Sequence, residues 1–221
     1  MKYDIRYKPT FATLFLTLLP GEQVVAEAGA MASMDGALSM TTSLSGGLLQ
    51  ALLKNFLGGE SLFVNTFRNN TQKPLQVVLT QSTIGDITFI NLQGQEICFQ
   101  PGAYIAHAGN IHTGVQWAGF SSWLAGEGLF KLKLRGNGMV FFGAYGGLTK
   151  RRIDGEFIVD SGHLVAYDPS ISMNIKLSGG LVGSVTSGEG LVNRLTGHGD
   201  IYLQSRSVDG LVRFIRSKLT F

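Results

Sequence analysis

The alternation of apolar and polar residues along this chain predicts β-strands much more often than helices. Four segments are rich in β-branched and aromatic residues and are bounded by Gly, Asn, Asp or Pro, which is typical of strands. They are residues 11–16, 62–67, 75–80 and 138–142. The clearest period of two lies in residues 130–135, where we expect the apolar side chains to face a core and Lys131, Lys133 and Arg135 to face outward.

Helical periodicity is limited to two segments. Residues 47–57 place apolar residues at helical spacing, and Gly58 follows as a stop signal. Residues 208–216 fit a helix or a strand equally well. We therefore predict an all-β fold.

A two-part signature occurs three times along the chain. Its first part is a glycine turn, a strand-like run and a second glycine followed by small and hydrophobic residues, at residues 21–32, 94–106 and 155–166. Its second part is a Gly-Glu motif that starts at residues 59, 126 and 188, at intervals of 67 and 62 residues. A nearly fixed period of this kind marks tandem structural units.

The repeat predicts three units at about residues 1–82, 83–147 and 148–221. No Pro-, Ser- or charge-rich linker separates them, so we expect a single domain over residues 1–221 with internal pseudo-threefold symmetry. Pairing each unit with the next would hide the edges of its sheets.

Composition limits the class of protein without identifying a ligand. The 221 residues are 44% hydrophobic and only 15% charged, which excludes a disordered chain. The net charge of +3 favours nucleic acid only weakly. A lone Cys98 in an apolar run predicts a buried structural thiol. The N-terminal residues lack the hydrophobic region of a signal peptide, so we expect a cytoplasmic protein.

Three motifs resemble a known family. Residues 59–63, 161–168 and 187–191, in this order, are similar to the family named for altered inheritance of mitochondria, which occurs in bacteria and fungi. The resemblance covers essentially the whole chain. It implies three β-units like the tryptophan RNA-binding attenuation protein (TRAP), which are short double-stranded β-helix variants, in one polypeptide. It implies little about activity, and the mitochondrial location of some members does not carry over, because an Arg- and Ser-rich transit segment is missing.

No pattern predicts catalysis, a cofactor or a metal. The chain contains no Gly-x-Ser-x-Gly, and residues 143–150 lack the Gly-Lys-Ser/Thr ending of a phosphate loop, so we interpret them as a turn. Residues 136–138 and 197–199 are interpreted as hairpin turns. The four histidines do not occupy equivalent repeat positions, and the glutamates that recur with the repeat are best explained as turn ligands of backbone N–H groups.

A basic cluster is the candidate for nucleic-acid binding. Phosphate binding needs cations along one face, but the other two repeats have no matching stripe, so a solvated strand face is favoured. The candidate residues are Lys131, Lys133, Arg135, Lys150, Arg151 and Arg152.

An apolar excursion precedes each Gly-Glu motif, at residues 44–57, 115–124 and 177–185. Pseudo-threefold symmetry would bring all three to one end of the body, as a partner surface or as plugs that close the core. Few cations flank them, which favours protein association over peripheral membrane contact. We therefore predict a non-enzymatic scaffold or assembly protein that forms a homo-oligomer or binds a protein partner, with no small-molecule substrate. The predicted surface contains Leu48, Leu49, Leu52, Leu53, Phe56, Trp117, Phe120, Trp123, Leu124, Leu181 and Val182.

Overall fold

The structure is a computed structural model that describes residues 1–44, 63–117, 130–177 and 191–219. These residues form β-strands and one α-helix, which confirms the all-β prediction and shows that the C-terminal segment is helical. The strands are β1 Lys2–Arg6, β2 Thr13–Leu18, β3 Gln23–Glu27, β4 Met31–Met34, β5 Ser39–Leu44, β6 Phe63–Arg68, β7 Leu75–Leu79, β8 Gly85–Phe99, β9 Tyr104–Trp117, β10 Phe130–Tyr145, β11 Leu148–Asp160, β12 Leu164–Tyr167, β13 Ser172–Leu177 and β14 Leu191–Gln204. The helix is α1, Val208–Arg216. The predicted helix at 47–57 lies outside the described residues.

The strands form two sheets of antiparallel ladders. The smaller has the order β1-β2-β7-β4, and the larger has the order β11-β14-β12-β8-β10-β9-β3-β6-β5, with β13 added beside β14. A parallel bridge from Phe11 to Gly85 joins the segment before β2 to the start of β8.

Comparable ladders occur in three parts of the chain, which contain strands β1–β7, β8–β10 and β11–β14. In the first part β2 pairs with β7 and β3 pairs with β6. In the second part β8 and β10 are each long enough to make both ladders, and in the third part β11 and β14 do the same. Each part also has a hairpin, formed by β5–β6, β9–β10 and β13–β14.

Glycines let the long strands continue through two places where we predicted hairpin turns. Residues 136–138 lie inside β10 and residues 197–199 lie inside β14, so both turn predictions are wrong. Gly136 has φ +139° and Gly197 has φ +137°, a conformation open to glycine but rare for other residues. A Cβ on Gly136 would lie 2.1 Å from the carbonyl oxygen of Asn110 on β9. The glycines therefore permit close approach of two strands, not a reversal of the chain.

The core is built from alternating side chains, as the sequence pattern predicts. On β2 the side chains of Leu14, Leu16 and Leu18 are fully buried and those between them are only half-buried. A second cluster packs Phe142 between Phe99 and Tyr202 in tilted and edge-to-face contacts, with ring centroids 5.1 and 5.0 Å apart. Burial on this scale supplies most of the stabilisation of a β-domain.

Candidate functional site

The predicted apolar loop surface lies almost entirely outside the described residues. This applies to Leu48, Leu49, Leu52, Leu53, Phe56, Phe120, Trp123, Leu124, Leu181 and Val182, while Trp117 is described only as the last residue of strand β9. The strands that lead into the three excursions are described, and each hairpin ends in an apolar cross-strand pair. The pairs are Leu44 with Phe63, Trp117 with Phe130 and Leu177 with Leu191. The side chain of Phe63 is 40% exposed.

Lys131 does not face solvent as predicted. Its side chain is only 5% exposed, and its Nζ donates to the sulfur of Met173 at 3.1 Å. The same ammonium lies 5.2 Å from the centroid of the Tyr167 ring. Tyr167 and Met173 belong to β12 and β13, strands from the third part of the chain that cover this end of β10. The predicted outward stripe therefore lacks its first cation.

Lys133 and Arg135 share one carboxylate on the neighbouring strand. Lys133 Nζ lies 2.7 Å from Glu96, and an Arg135 nitrogen lies 3.8 Å from the same carboxylate. The hydrogen bond to Glu96 raises the pKa of Lys133. The three charges together leave a single net positive charge on this patch.

The second basic group has a similar arrangement. Lys150 Nζ lies 2.7 Å from Asp200, and an Arg152 nitrogen lies 3.9 Å from it. Hydrogen bonding to Asp200 raises the pKa of Lys150. The Arg151 guanidinium lies over the ring of Phe157, 4.4 Å from its centroid, which is a cation–π contact. Four of the six candidate cations thus pair with two carboxylates, although Lys150, Arg151 and Arg152 stay exposed.

A buried tyrosine–histidine pair lies where the first part of the chain meets the second. The Tyr104 hydroxyl is 2.7 Å from Nδ1 of His107 and 3.1 Å from the carbonyl oxygen of Val25 on β3. The hydroxyl has one hydrogen, so both bonds form when it donates to Val25 and Nδ1–H donates to its oxygen. Burial lowers the pKa of His107 to about 4 and raises that of Tyr104. His107 is therefore neutral at pH 7.

The corresponding place between the second and third parts carries different side chains. Cys98 on β8 lies opposite Tyr167 on β12, and it also lies opposite Lys133 on β10. Cys98 is buried, as predicted, and burial raises the pKa of its thiol while the nearby Lys133 charge opposes that shift. Burial and a raised thiol pKa are consistent with a structural role for Cys98.

Within the described part of the chain, no three His, Cys, Asp or Glu side chains are grouped so that they could hold a metal ion. A search of the same residues finds no helix with the length and apolar character that crossing a membrane requires.

The helix α1 presents a second apolar surface. Its N-cap is Ser207, whose hydroxyl accepts the N–H of Gly210 at 3.1 Å. The apolar residues of the helix are all exposed, and Arg213 and Arg216 lie in its last turn. These exposed residues are Val208, Leu211, Val212, Phe214 and Ile215.

Sequence reasoning missed the Tyr104–His107 pair because it considered histidines mainly as metal ligands. A signal was present in the repeat. His107 occupies the position of Met34 in the first repeat and Tyr167 in the third. Two large, partly or wholly apolar side chains at equivalent positions indicate a buried site, where an imidazole is held neutral.

Comparison with known proteins identifies the family. The model of the mitochondrial biogenesis AIM24 family matches residues 3–206. An uncharacterized protein of Streptococcus pyogenes serotype M6 is 26% identical over 218 residues, which are 95% of this chain and 87% of that protein. A crystal structure of a Streptococcus pyogenes protein superposes with a TM-score of 0.79 at 24% identity and covers 99% of both chains, which shows a shared fold. The resemblance found in the sequence motifs is confirmed, and the chain belongs to the AIM24 family.

Proposed function

We propose that the chain is a non-enzymatic assembly protein that self-associates or binds a protein partner through the apolar loop end. In this proposal three TRAP-like β-units form a single pseudo-threefold body. The three equivalent sets of ladders support that arrangement.

One observation carries the proposal: each of the three hairpins ends in an apolar cross-strand pair at the point where an apolar excursion begins. Together, such a hairpin end and the apolar excursion that follows it would form a hydrophobic surface. Surfaces of this kind, with few charges around them, are typical of protein interfaces. The exposure of Phe63 supports this reading for the first hairpin.

Light scattering coupled to size exclusion, at low and high salt and with and without nuclease, tests the proposal. We expect a salt-resistant species heavier than one chain and free of nucleic acid. Trp123→Asp and Leu181→Asp should each dissociate it without unfolding the chain. Gln72→Asp, which adds the same charge at an exposed turn residue, is the matched control. A Trp123→Asp chain that unfolds would show instead that the loops belong to the core.

Nucleic-acid binding is the second candidate function, and the exposure of Lys150, Arg151 and Arg152 favours it. Binding through these cations would release counterions from the phosphates, so affinity should fall steeply with salt. Arg152→Gln should weaken binding of mixed RNA in a gel-shift assay, whereas Lys73→Gln, at an exposed turn, should not. A chain that does not retard RNA at low salt would exclude this function.

A further inference from the structure

Two short ladders join the three parts of the chain, and both use the same register. Between the first and second parts, Val25 lies opposite His107 and Ala26 lies opposite Ala106. Between the second and third parts, the corresponding pairs are Cys98 with Tyr167 and Phe99 with Ala166. Each junction therefore has two antiparallel residue pairs and the same order of strands.

The register follows fixed offsets from the repeated glycines. Val25 and Cys98 each stand four residues before a repeat glycine, Gly29 and Gly102. Their partners stand five residues after the glycine of the next repeat, which for Tyr167 is Gly162. The same offsets define a third junction from strands that are both present in the chain. Its pairs would be Ile158 with Met34 and Val159 with Ser33.

Both strands of this third junction have a free edge in the described structure. Strand β4 is the last strand of the smaller sheet and β11 is the last strand of the larger one. All four residues of β12 are buried, whereas Met31, Ala32 and Ser33 of β4 are exposed. Ile158 is 58% exposed, although its equivalent Cys98 is 2% exposed.

We propose that β11 of one chain pairs, through Ile158 and Val159, with β4 of a second copy of this chain, in the register of the two internal junctions. The proposal rests on the self-association proposed above, and it names the partner and a surface distinct from the loop end. An exposed strand edge is a template for strand addition. A closed threefold body would pair these two edges within one chain, but in the described structure β4 and β11 end two different sheets and do not pair with each other. Because the two edges differ, the contact between copies is head-to-tail.

The residues beside these edges also complement each other. In the proposed register Asp35 of one copy lies opposite Phe157 of the other. The ring of Phe157 carries the Arg151 guanidinium 4.4 Å from its centroid. Opposite charges would therefore meet at one end of the junction, while Ile158 and Met34 would remove apolar surface from water at its centre.

Disulfide trapping between two full-length chains tests the register. A tagged Met34→Cys chain is mixed with an untagged Ile158→Cys chain and oxidised mildly. Opposed residues of antiparallel strands have Cα atoms about 4.5 to 5.5 Å apart, which a disulfide can span. We expect a mixed dimer on a non-reducing gel. Met31→Cys is the matched control, because in this register it lies about 10 Å along the strand from the partner position. The buried Cys98 is left in place, and wild-type chains report any contribution from it.

Two further measurements separate the possible outcomes. Ile158→Lys should raise the dissociation constant of self-association at least about tenfold and leave the thermal unfolding of the dilute, dissociated chain unchanged, whereas Ile158→Val should change neither. A chain that carries both cysteines and closes an internal disulfide as a monomer would overturn the second-copy proposal. An assembly that depends on Trp123 but shows no Met34–Ile158 trapping would overturn the edge contact and keep the loop end. A chain that stays monomeric at every concentration would overturn both.

Discussion

The two internal junctions have the same backbone pairing but different side chains. Where β3 meets β9, a neutral histidine, a tyrosine hydroxyl and a backbone carbonyl form a hydrogen-bonded group. Where β8 meets β12, Cys98 and Tyr167 lie opposite each other, with Lys131 and Met173 beside them. The comparison teaches that the register of a junction comes from the strands and their flanking glycines. The side chains only have to fill the space and satisfy their polar atoms, and they do so differently at the two sites.

The largest expected effect on stability comes from truncating the buried Tyr104 side chain at the junction of β3 and β9. Tyr104 is buried in a cluster with Phe142 and Val140, so Tyr104→Ala removes a large side chain and leaves a cavity. We expect the free energy of unfolding to fall by about 3–5 kcal/mol, as measured by denaturant unfolding. A loss below about 1 kcal/mol would mean that the junction does not stabilise the fold.

The next effect is a pH dependence that only the first junction should show. The pKa of His107 is lowered from 6.5 to about 4 in the folded chain. As the pH falls from about 6.5 towards 4, His107 is protonated in the unfolded chain but stays neutral in the folded chain. The folded state therefore loses stability over that pH range. The stabilisation is fully present above pH 6.5, and the loss reaches at most about 3 kcal/mol.

Unfolding titrations of His107→Met and wild type between pH 7 and pH 4 measure this effect. Methionine already occupies the equivalent position in the first repeat, at Met34. The variant should lose less stability than wild type over the window, and exposed His112→Gln should behave as wild type. Parallel curves for His107→Met and wild type would contradict the assignment.

These junctions also show what sequence could predict. Strands such as β2 were predicted because alternation is local: each second residue is buried whatever lies opposite. The offsets from glycine were readable in the same way. Lys131 was assigned wrongly because its cover comes from β12 and β13, strands more than thirty residues further along the chain, and no local pattern reports on that contact.

The wrong turn prediction at residues 136–138 also results from a contact that is distant in sequence. Residues 136–138 look like a hairpin turn because glycine pairs are common in tight turns. Their role in β10 depends on the approach of β9, where Gly109 lies opposite Gly138. A window of a few residues does not distinguish a turn from a strand whose neighbouring strand lies unusually close. The candidate surfaces were harder to predict. The loop residues lie outside the described structure, and the free edges of β4 and β11 can be recognised only once the strand pairing is known.

A smaller effect separates the hydroxyls of the two junctions. Tyr104→Phe leaves Val25 and His107 without their shared partner, and we expect a loss of about 1–2 kcal/mol. Tyr167→Phe is the matched change at the second junction, where the hydroxyl interacts with the Cys98 sulfur. Sulfur is a weak acceptor, so the loss should be smaller there. Equal losses in denaturant unfolding would mean that the first hydrogen-bonded group adds nothing beyond its packing.

The smallest effect concerns the ion pair at the surface of the second junction. Glu96→Gln removes the carboxylate shared by Lys133 and Arg135. Because the pair is partly exposed, we expect a loss of stability of at most about 1 kcal/mol, and less at high salt. Asp200→Asn makes the equivalent change at Lys150 and Arg152 and should cost a similar amount. Thermal unfolding at low and high salt measures both losses.

The same two variants, Glu96→Gln and Asp200→Asn, also distinguish nucleic-acid binding from protein assembly, because each removes a negative charge that lies beside two cations. If nucleic acid binds there, Glu96→Gln and Asp200→Asn should bind RNA more tightly than wild type; if the chain is an assembly protein, the mass of the assembly should stay the same while RNA binding stays absent.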